Sequence, residues 1–259
     1  MNWTLITGAS EGFGREFADL AAGEGRPIIL SARQEDKLQA LAAEMRAKHG
    51  VQALVIAADL AQPGEAERLW AEASAGRVID TLVNNAGLGR NGFFADATGW
   101  PRERASIEVN VTSATVLMKL AVLAMVPRGA GRILNVASAA GFMPGPNMAV
   151  YHATKAYFLS LSEAAGSELA GSGVTVTALC PGATETNFFK ADQADKATLL
   201  TKVLPLPSAR SVAMAGWRAM GSGRRVIVTG WTNKVFTLMP RLLPRRFVAW
   251  SVGLFLARR

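Results

Sequence analysis

Apolar positions in this chain fall into short runs separated by longer segments with helical spacing. WTLIT (3–7) is an apolar run ended by Gly8, and residues 13–24 then carry a helical pattern. PIILSA (27–32) is a second run, followed by EDKLQALAAEMRAK (35–48) with apolar residues at helical intervals. ALVIAAD (53–59) is strand-like, and PGEAERLWAEA opens on Pro-Gly and continues as helix. DTLVNNAG (80–87) is an apolar run with a polar end, and a long helix is predicted from about 101 to 125. RILNVAS (132–138), a helix near 150–170 and VTVTALC (174–180) follow; residues 183–210 are mixed, and VIVT (226–229) reads as a last strand. Runs without clean alternation suit strands covered on both faces. Strands alternating with helices imply parallel βαβ units. There is no repeat, low-complexity segment or linker. The pattern predicts one α/β domain, a Rossmann-like doubly wound parallel sheet of about seven strands.

Such sheets bind ligands at the carboxyl ends of their strands. After the first strand comes TGASEGFG, with Gly8, Gly12 and Gly14. Glycines here permit a tight turn and close backbone approach to a pyrophosphate, with a helix N-terminus behind it. A bland tight turn also explains them. After the second strand stands Arg33, where a carboxylate would accept the ribose hydroxyls of NAD and repel a 2′-phosphate. A guanidinium pairs bidentately with phosphate, which favours NADP(H) over NAD(H); the alternative is a surface residue that only helps start a helix. Glu11 adds no second positive charge. Asp59, before Leu60, either accepts from an adenine amino group or caps the helix near Pro63. Asn84, Asn85, Ala86 and Gly87 end the fourth strand, where amides can tie neighbouring strand ends together.

Residues 151–157 read YHATKAY, placing Tyr151 and Lys155 four apart and on one helix face. Tyrosine normally titrates near 10, too high for a base at neutral pH. A neighbouring ammonium is expected to favour the phenolate and lower that value.

These stretches, with Asn110 in EVNVTSA, Ser138 in NVASAAG and Cys180-Pro181-Gly182, occur in the order and spacing of the short-chain dehydrogenase/reductase family. The chain resembles its short, single-domain branch over about residues 1–190. The resemblance implies an NADP(H)-dependent oxidoreductase interconverting a ketone and a secondary alcohol. Tyr151 would be the general acid of ketone reduction. Lys155 would also bond the nicotinamide ribose, Ser138 would donate to the substrate oxygen, and Asn110 would hold a water joining Lys155 to solvent. The dinucleotide would lie on Gly8, Ser10, Gly12, Phe13, Gly14, Arg33, Asp59, Leu60, Asn85, Ala86, Gly87, Tyr151, Lys155, Pro181 and Gly182. Thr186 would bond its carboxamide or a phosphate, with Thr184 competing. No metal is implied, and a homo-dimer or homo-tetramer is expected. The alternative is a non-catalytic dinucleotide-binding sensor or scaffold of the same fold.

Residues 187–210 would form a lid, made apolar by Phe188, Phe189, Leu199, Leu200, Val203 and Leu204. Phe142, Met143, Pro144 and Met148 should line the same pocket, so a small hydrophobic carbonyl or alcohol is the expected substrate.

Charge changes the picture at one end only. The formal net charge is +8, yet from Thr201 onward there are eleven Lys or Arg and no Asp or Glu. No zinc spacing, RNP motif or basic zipper accompanies this, so no nucleic acid is expected. The catalytic domain is placed at 1–230 and a basic, apolar extension at 231–259, interrupted by Pro240 and Pro244. RRFVAWSVGLFLARR is too short to span a bilayer. It could pack on the fold or a partner subunit, lie on an anionic membrane surface, or draw in phosphorylated substrates. It loosely resembles the tails of hydroxysteroid and long-chain 3-oxoacyl reductases, so a steroid-like or 3-oxoacyl-type substrate fits. The single cysteine, Cys180, rules out an internal disulfide. MNWTLITGAS enters a strand pattern at once, without the basic and apolar regions of a signal peptide. A cytoplasmic protein is expected, with membrane contact at most peripheral.

Overall fold

The computed structural model describes residues 1–184 and 206–256. Every strand the apolar runs predict is present: β1 (Asn2–Thr7), β2 (Ile28–Ala32), β3 (Ala53–Ala57), β4 (Val78–Asn84), β5 (Gly131–Val136), β6 (Val174–Cys180) and β7 (Val226–Val228). They form one sheet in the order β3-β2-β1-β4-β5-β6-β7, and every neighbouring pair is parallel. The order reverses between β1 and β4, which opens a crevice at their carboxyl ends.

Helices α1 (Gly12–Gly23), α2 (Glu35–His49) and α7 (Ala209–Gly221) cover one face. Phe17 of α1 is fully buried and its ring centroid lies 6.5 Å from that of Trp217 on α7. Trp217 donates its indole N–H to Glu24 at 2.6 Å, so the buried ring keeps a polar partner. The helix α7 was not foreseen in the sequence. Ser208 caps it, accepting from the Ser211 N–H.

Helices α3 (Glu65–Ser74), α5 (Ala114–Met125) and α6 (Ala149–Glu168) cover the other face. The long helix predicted over 101–125 is three pieces: α4 (Trp100–Ile107), a π-helical turn over Glu108–Ser113, and α5. A π turn widens the helix locally and often marks a working position; here it carries Asn110. The continuous stretch Ala97–Arg128 is long and apolar enough to cross a membrane. Leu117, Met118, Ala121 and Met125 of α5 nevertheless pack into the core beneath the sheet.

The extension folds as two helices, α8 (Trp231–Leu242) and α9 (Arg245–Leu256). Pro240 does not break the chain as expected. It lies inside the last turn of α8, where a missing N–H costs one rung only. Pro244 does separate the helices, and its carbonyl accepts the Phe247 and Val248 N–H groups that open α9.

Candidate active site

The glycine loop is built by steric necessity. Gly8 and Gly12 have φ of +62° and +57°, conformations that side chains resist. A Cβ on Gly14 would sit 2.0 Å from the Gly8 carbonyl oxygen. Backbone therefore meets backbone where β1 turns into α1, and the N-terminus of α1 is brought up to the crevice. Such a cradle fits a dinucleotide's pyrophosphate. Ser10 is half-buried in this turn. Phe13 packs its ring against the core.

A hydroxyl that the sequence reading missed ties this loop to β4. Thr7 Oγ1, fully buried, accepts the N–H groups of Asn85 at 3.0 Å and Ala86 at 2.9 Å. Asn85 reciprocates, donating from Nδ2 to the carbonyls of Thr7 at 2.8 Å and Gly8 at 3.1 Å. Asn84 donates to the Ala114 carbonyl at 2.8 Å. The expected bonding between strand ends is thus present, and it holds Ala86 and Gly87 at the crevice.

Arg33 stands exposed just past β2 and makes no hydrogen bond or ion pair to any described residue. Asp59 turns back on its own loop, accepting from the Ala61 N–H at 3.3 Å and Gln62 Nε2 at 3.2 Å. It does not cap α3, whose N-cap is Gly64 without a side-chain bond. Leu60 buries its side chain in the core under α3 and α5, so only its backbone is available to a ligand. Its carbonyl already accepts from Ser113 Oγ at 2.8 Å.

At the ends of β5 and β6 the catalytic candidates meet. Ser138, Tyr151 and Lys155 are all buried. The Ser138 hydroxyl faces the Tyr151 phenol closely enough to ease its ionisation, and it donates to the Pro181 carbonyl at 3.4 Å. It also accepts the Ala140 N–H at 3.1 Å, which starts the 3-10 turn Ala139–Phe142. Lys155 Nζ donates to the Val136 carbonyl at 2.8 Å and lies 5.8 Å from the centroid of the Tyr151 ring. Both residues therefore face the same cleft from one side of α6. Burial pushes the Tyr151 phenol up to about 12, with the Ser138 hydroxyl pulling the other way. Burial likewise pulls Lys155 down to about 8, against the nearby Cys180 thiol. The lowered phenol expected from the sequence is not what these side chains produce. In this cleft loss of water outweighs the Ser138 hydroxyl, and it favours the protonated phenol.

Asn110 is buried and its amide is fully used by the protein. Oδ1 accepts the Leu88 N–H at 2.9 Å, and Nδ2 donates to the Leu88 carbonyl at 2.7 Å and to Thr154 Oγ1 at 3.0 Å. Thr154 in turn donates to the Tyr151 carbonyl at 2.8 Å. The π turn, the loop after β4 and the catalytic helix are thereby locked together. Thr154 is a second residue the sequence reading missed; it stands inside YHATK but looks like any helical threonine.

His152 is structural, as its place on the helix suggested. Its Nδ1 lies 2.9 Å from the Met143 carbonyl. A Cβ on Gly145 would fall 2.2 Å from its ring. Cys180, the only thiol, is fully buried, and burial pushes it up to about 12, which makes it inert.

Pro181 and Gly182 follow β6. The Pro181 carbonyl accepts the Ala139 N–H at 2.8 Å, and Thr184 Oγ1 donates to the Gly182 carbonyl at 3.0 Å. A Cβ on Gly182 would meet Asn233 of α8 at 2.2 Å, so the extension packs directly on this turn. Asn233 carries no local signal that could have placed it there. Thr186 and the six apolar lid residues lie outside the described residues. Phe142 is partly buried and packs on Ala137, Leu159, Ala178 and Cys180. Met148 is buried.

Comparison with known proteins follows the same lines. The family model described as short chain dehydrogenase matches residues 2–197. A 7beta-hydroxysteroid dehydrogenase of Collinsella aerofaciens is 35% identical over 184 residues, covering 71% of this chain and 69% of that one. An inactive hydroxysteroid dehydrogenase-like protein 1 of Rattus norvegicus is 29% identical over 97% of this chain and 75% of its own length. A very-long-chain 3-oxoacyl-CoA reductase of Bos taurus is 32% identical over 69% of this chain and 58% of its own length. Among solved structures, a Sphingobium yanoikuyae short-chain dehydrogenase in complex with NADPH superposes with a TM-score of 0.80 at 32% identity, covering 88% of this chain and 87% of that one. A 7beta-hydroxysteroid dehydrogenase gives 0.86 at 26% identity over 97% of this chain and 96% of its own. A Burkholderia phymatum relative in complex with NAD gives 0.79 at 26% identity, covering 91% of each chain.

Proposed function

The chain belongs to the short-chain dehydrogenase family of NAD(P)-using oxidoreductases, and from that premise we propose that it is an NADP(H)-dependent enzyme interconverting a hydrophobic ketone and a secondary alcohol. The observation that carries this reading is the burial of Ser138, Tyr151 and Lys155 in one cleft, with the Lys155 ammonium 5.8 Å from the Tyr151 ring one helical turn away. A phenol held protonated beside a second hydroxyl is suited to donate to a carbonyl oxygen as negative charge develops on it. Ser138 orients the same oxygen. Lys155 supplies positive charge at the site, and Asn110 with Thr154 positions the helix that carries both.

Gly8, Gly12, Gly14 and the backbone at Asn85–Gly87 would hold the dinucleotide, and Pro181, Gly182 and Lys155 would flank its nicotinamide end. When bound, the nicotinamide supplies the hydride. Arg33, exposed and unpaired among the described residues, supports a 2′-phosphate, and the Sphingobium relative is named with NADPH. The apolar side chains Phe142 and Met148 between Ser138 and Tyr151 support a hydrophobic substrate. The names of the relatives point to a steroid-like or 3-oxoacyl-type carbonyl.

One observation favours the scaffold alternative: relatives from Rattus norvegicus and Mus musculus are named inactive. The intact pairing of Ser138, Tyr151 and Lys155 weighs against it. A screen of bulky apolar ketones with NADPH and with NADH, followed at the nicotinamide absorbance, separates the readings. Turnover preferring NADPH supports the proposal. A protein that binds NADPH and turns over none of the ketones, nor the matching alcohols with NADP⁺, would be the scaffold.

A further inference from the structure

The α8–α9 hairpin reverses the usual arrangement of a surface helix. On α8 the outward residues are Trp231, Val235, Leu238 and Leu242, with Trp231 78% and Leu242 81% exposed. Their spacing of four, three and four puts them on one stripe. On α9 Phe247, Trp250 and Leu254 form a matching outward stripe, with Trp250 61% exposed. The inward side is the more polar one on α8, where Asn233 meets Gly182 and Thr237 is buried. Phe236 and Phe255 meet edge to face at 6.0 Å and hold the two helices together.

Charge selects the occupant. Lys234, Arg241, Arg245 and Arg246 make no ion pair with a described residue. No Asp or Glu occurs from Thr201 onward. In a two-fold contact between copies, this face would set arginine near arginine without carboxylates to pair them. An anionic lipid surface supplies the missing phosphates, and tryptophan suits the headgroup boundary. Each helix has 12 residues, too few to cross a bilayer but suited to lie within its surface.

A second exposed apolar element lies near the same segment of chain. Phe93 and Phe94 are 70% and 68% exposed, and the neighbouring Gly92 N–H donates to the Asn147 carbonyl at 2.7 Å. Gly253 of α9 sits against Pro146. Both elements thus border residues 143–148, the segment leading into Tyr151.

We infer that the outward face of α8 and α9 docks on membranes containing anionic phospholipid, with the Phe93–Phe94 tip beside it. The surface holds the protein with its Ser138–Tyr151 side towards the lipid.

Flotation of the full chain with vesicles tests this, comparing phosphatidylcholine alone against phosphatidylcholine with phosphatidylglycerol, at low and high salt. Binding is expected only with phosphatidylglycerol, and it should weaken as salt rises. Replacing Trp231, Leu242 and Trp250 together by serine should lower the bound-to-free ratio by about tenfold or more. Replacing Arg241, Arg245 and Arg246 together by glutamine should do the same, since cations near an anionic surface add to its attraction. Circular dichroism and NADPH titration should show both variants folded. Absence of binding to phosphatidylglycerol vesicles would overturn the inference, as would equal binding by the variants. So would sedimentation velocity showing a dimer that the serine variant converts to monomer while vesicles bind neither protein, which would assign the face to a second copy.

Discussion

The cleft at the ends of β4–β6 and the α8–α9 hairpin break the ordinary inside–outside rule in opposite directions. In the cleft, polar side chains are buried and bonded within the protein: Thr7 to Asn85 and Ala86, Asn110 to Leu88 and Thr154, Ser138 to Ala140 and Pro181, Lys155 to Val136. In the hairpin, large apolar side chains stand in water without a described cover. A buried polar group costs free energy unless it is bonded. A contiguous exposed apolar face is retained where something binds it. The first departure is stabilised within the fold; the second waits on a partner. Sensitivity to substitution should therefore differ sharply between the two regions, in kind as well as size.

The largest expected effect is on the chemistry. Tyr151→Phe should lower kcat by about 10²–10⁴-fold while NADPH affinity and melting temperature stay near those of the parent. With the phenol pushed up to about 12 by burial, it stays protonated through neutral pH. Ketone reduction should therefore not be limited by loss of that proton near pH 7, whereas alcohol oxidation, which needs the phenolate, should accelerate towards alkaline pH. A pH–rate profile in both directions checks this; an oxidation rate that falls between pH 6 and about 7.5, where Lys155 keeps its charge, would contradict it.

Next in size is the polar lock. Asn110→Ala strands the Leu88 N–H and carbonyl in a part-buried setting, and should destabilise the chain by about 1–3 kcal/mol in denaturant unfolding. Arg33→Asp should then shift the ratio of NADPH to NADH affinity by about tenfold or more towards NADH, since a carboxylate repels the 2′-phosphate and accepts ribose hydroxyls. Calorimetric titration with both cofactors reads it directly, and an unchanged ratio would remove Arg33 from the site. Smallest is the hairpin itself: Leu242→Ser should change unfolding free energy in the absence of lipid by no more than about 0.5 kcal/mol. A loss of several kcal/mol there would mean that the exposed stripe is part of the core after all, and the contrast would fail.

The same contrast explains what the sequence could disclose. Strands covered on both faces leave apolar runs, and all seven were visible. The glycine loop and the Tyr151–Lys155 pair are local patterns, legible because their spacing is set by one turn or one helix. Thr7, Thr154 and Asn233 were not legible, since their roles depend on partners such as Asn85, Asn110 and Gly182 that are distant in the chain. Asn110 was singled out, but its grip on Leu88 depends on a π turn that no periodicity announces. The direction of the Tyr151 shift was misjudged for a related reason: a motif displays the neighbouring cation and conceals the depth of burial. Helix α7 escaped because its apolar positions follow a mixed segment without a sharp boundary.

Cys180 has a practical consequence. Its thiol is sealed at the end of β6 and kept uncharged, so maleimide or nitroxide reagents should pass over the unaltered chain. A cysteine introduced at the tip carrying Phe93, or on the outer stripe of α8, would then be the sole reactive handle. Spin labels and fluorophores could be placed one at a time, with no background thiol to remove first.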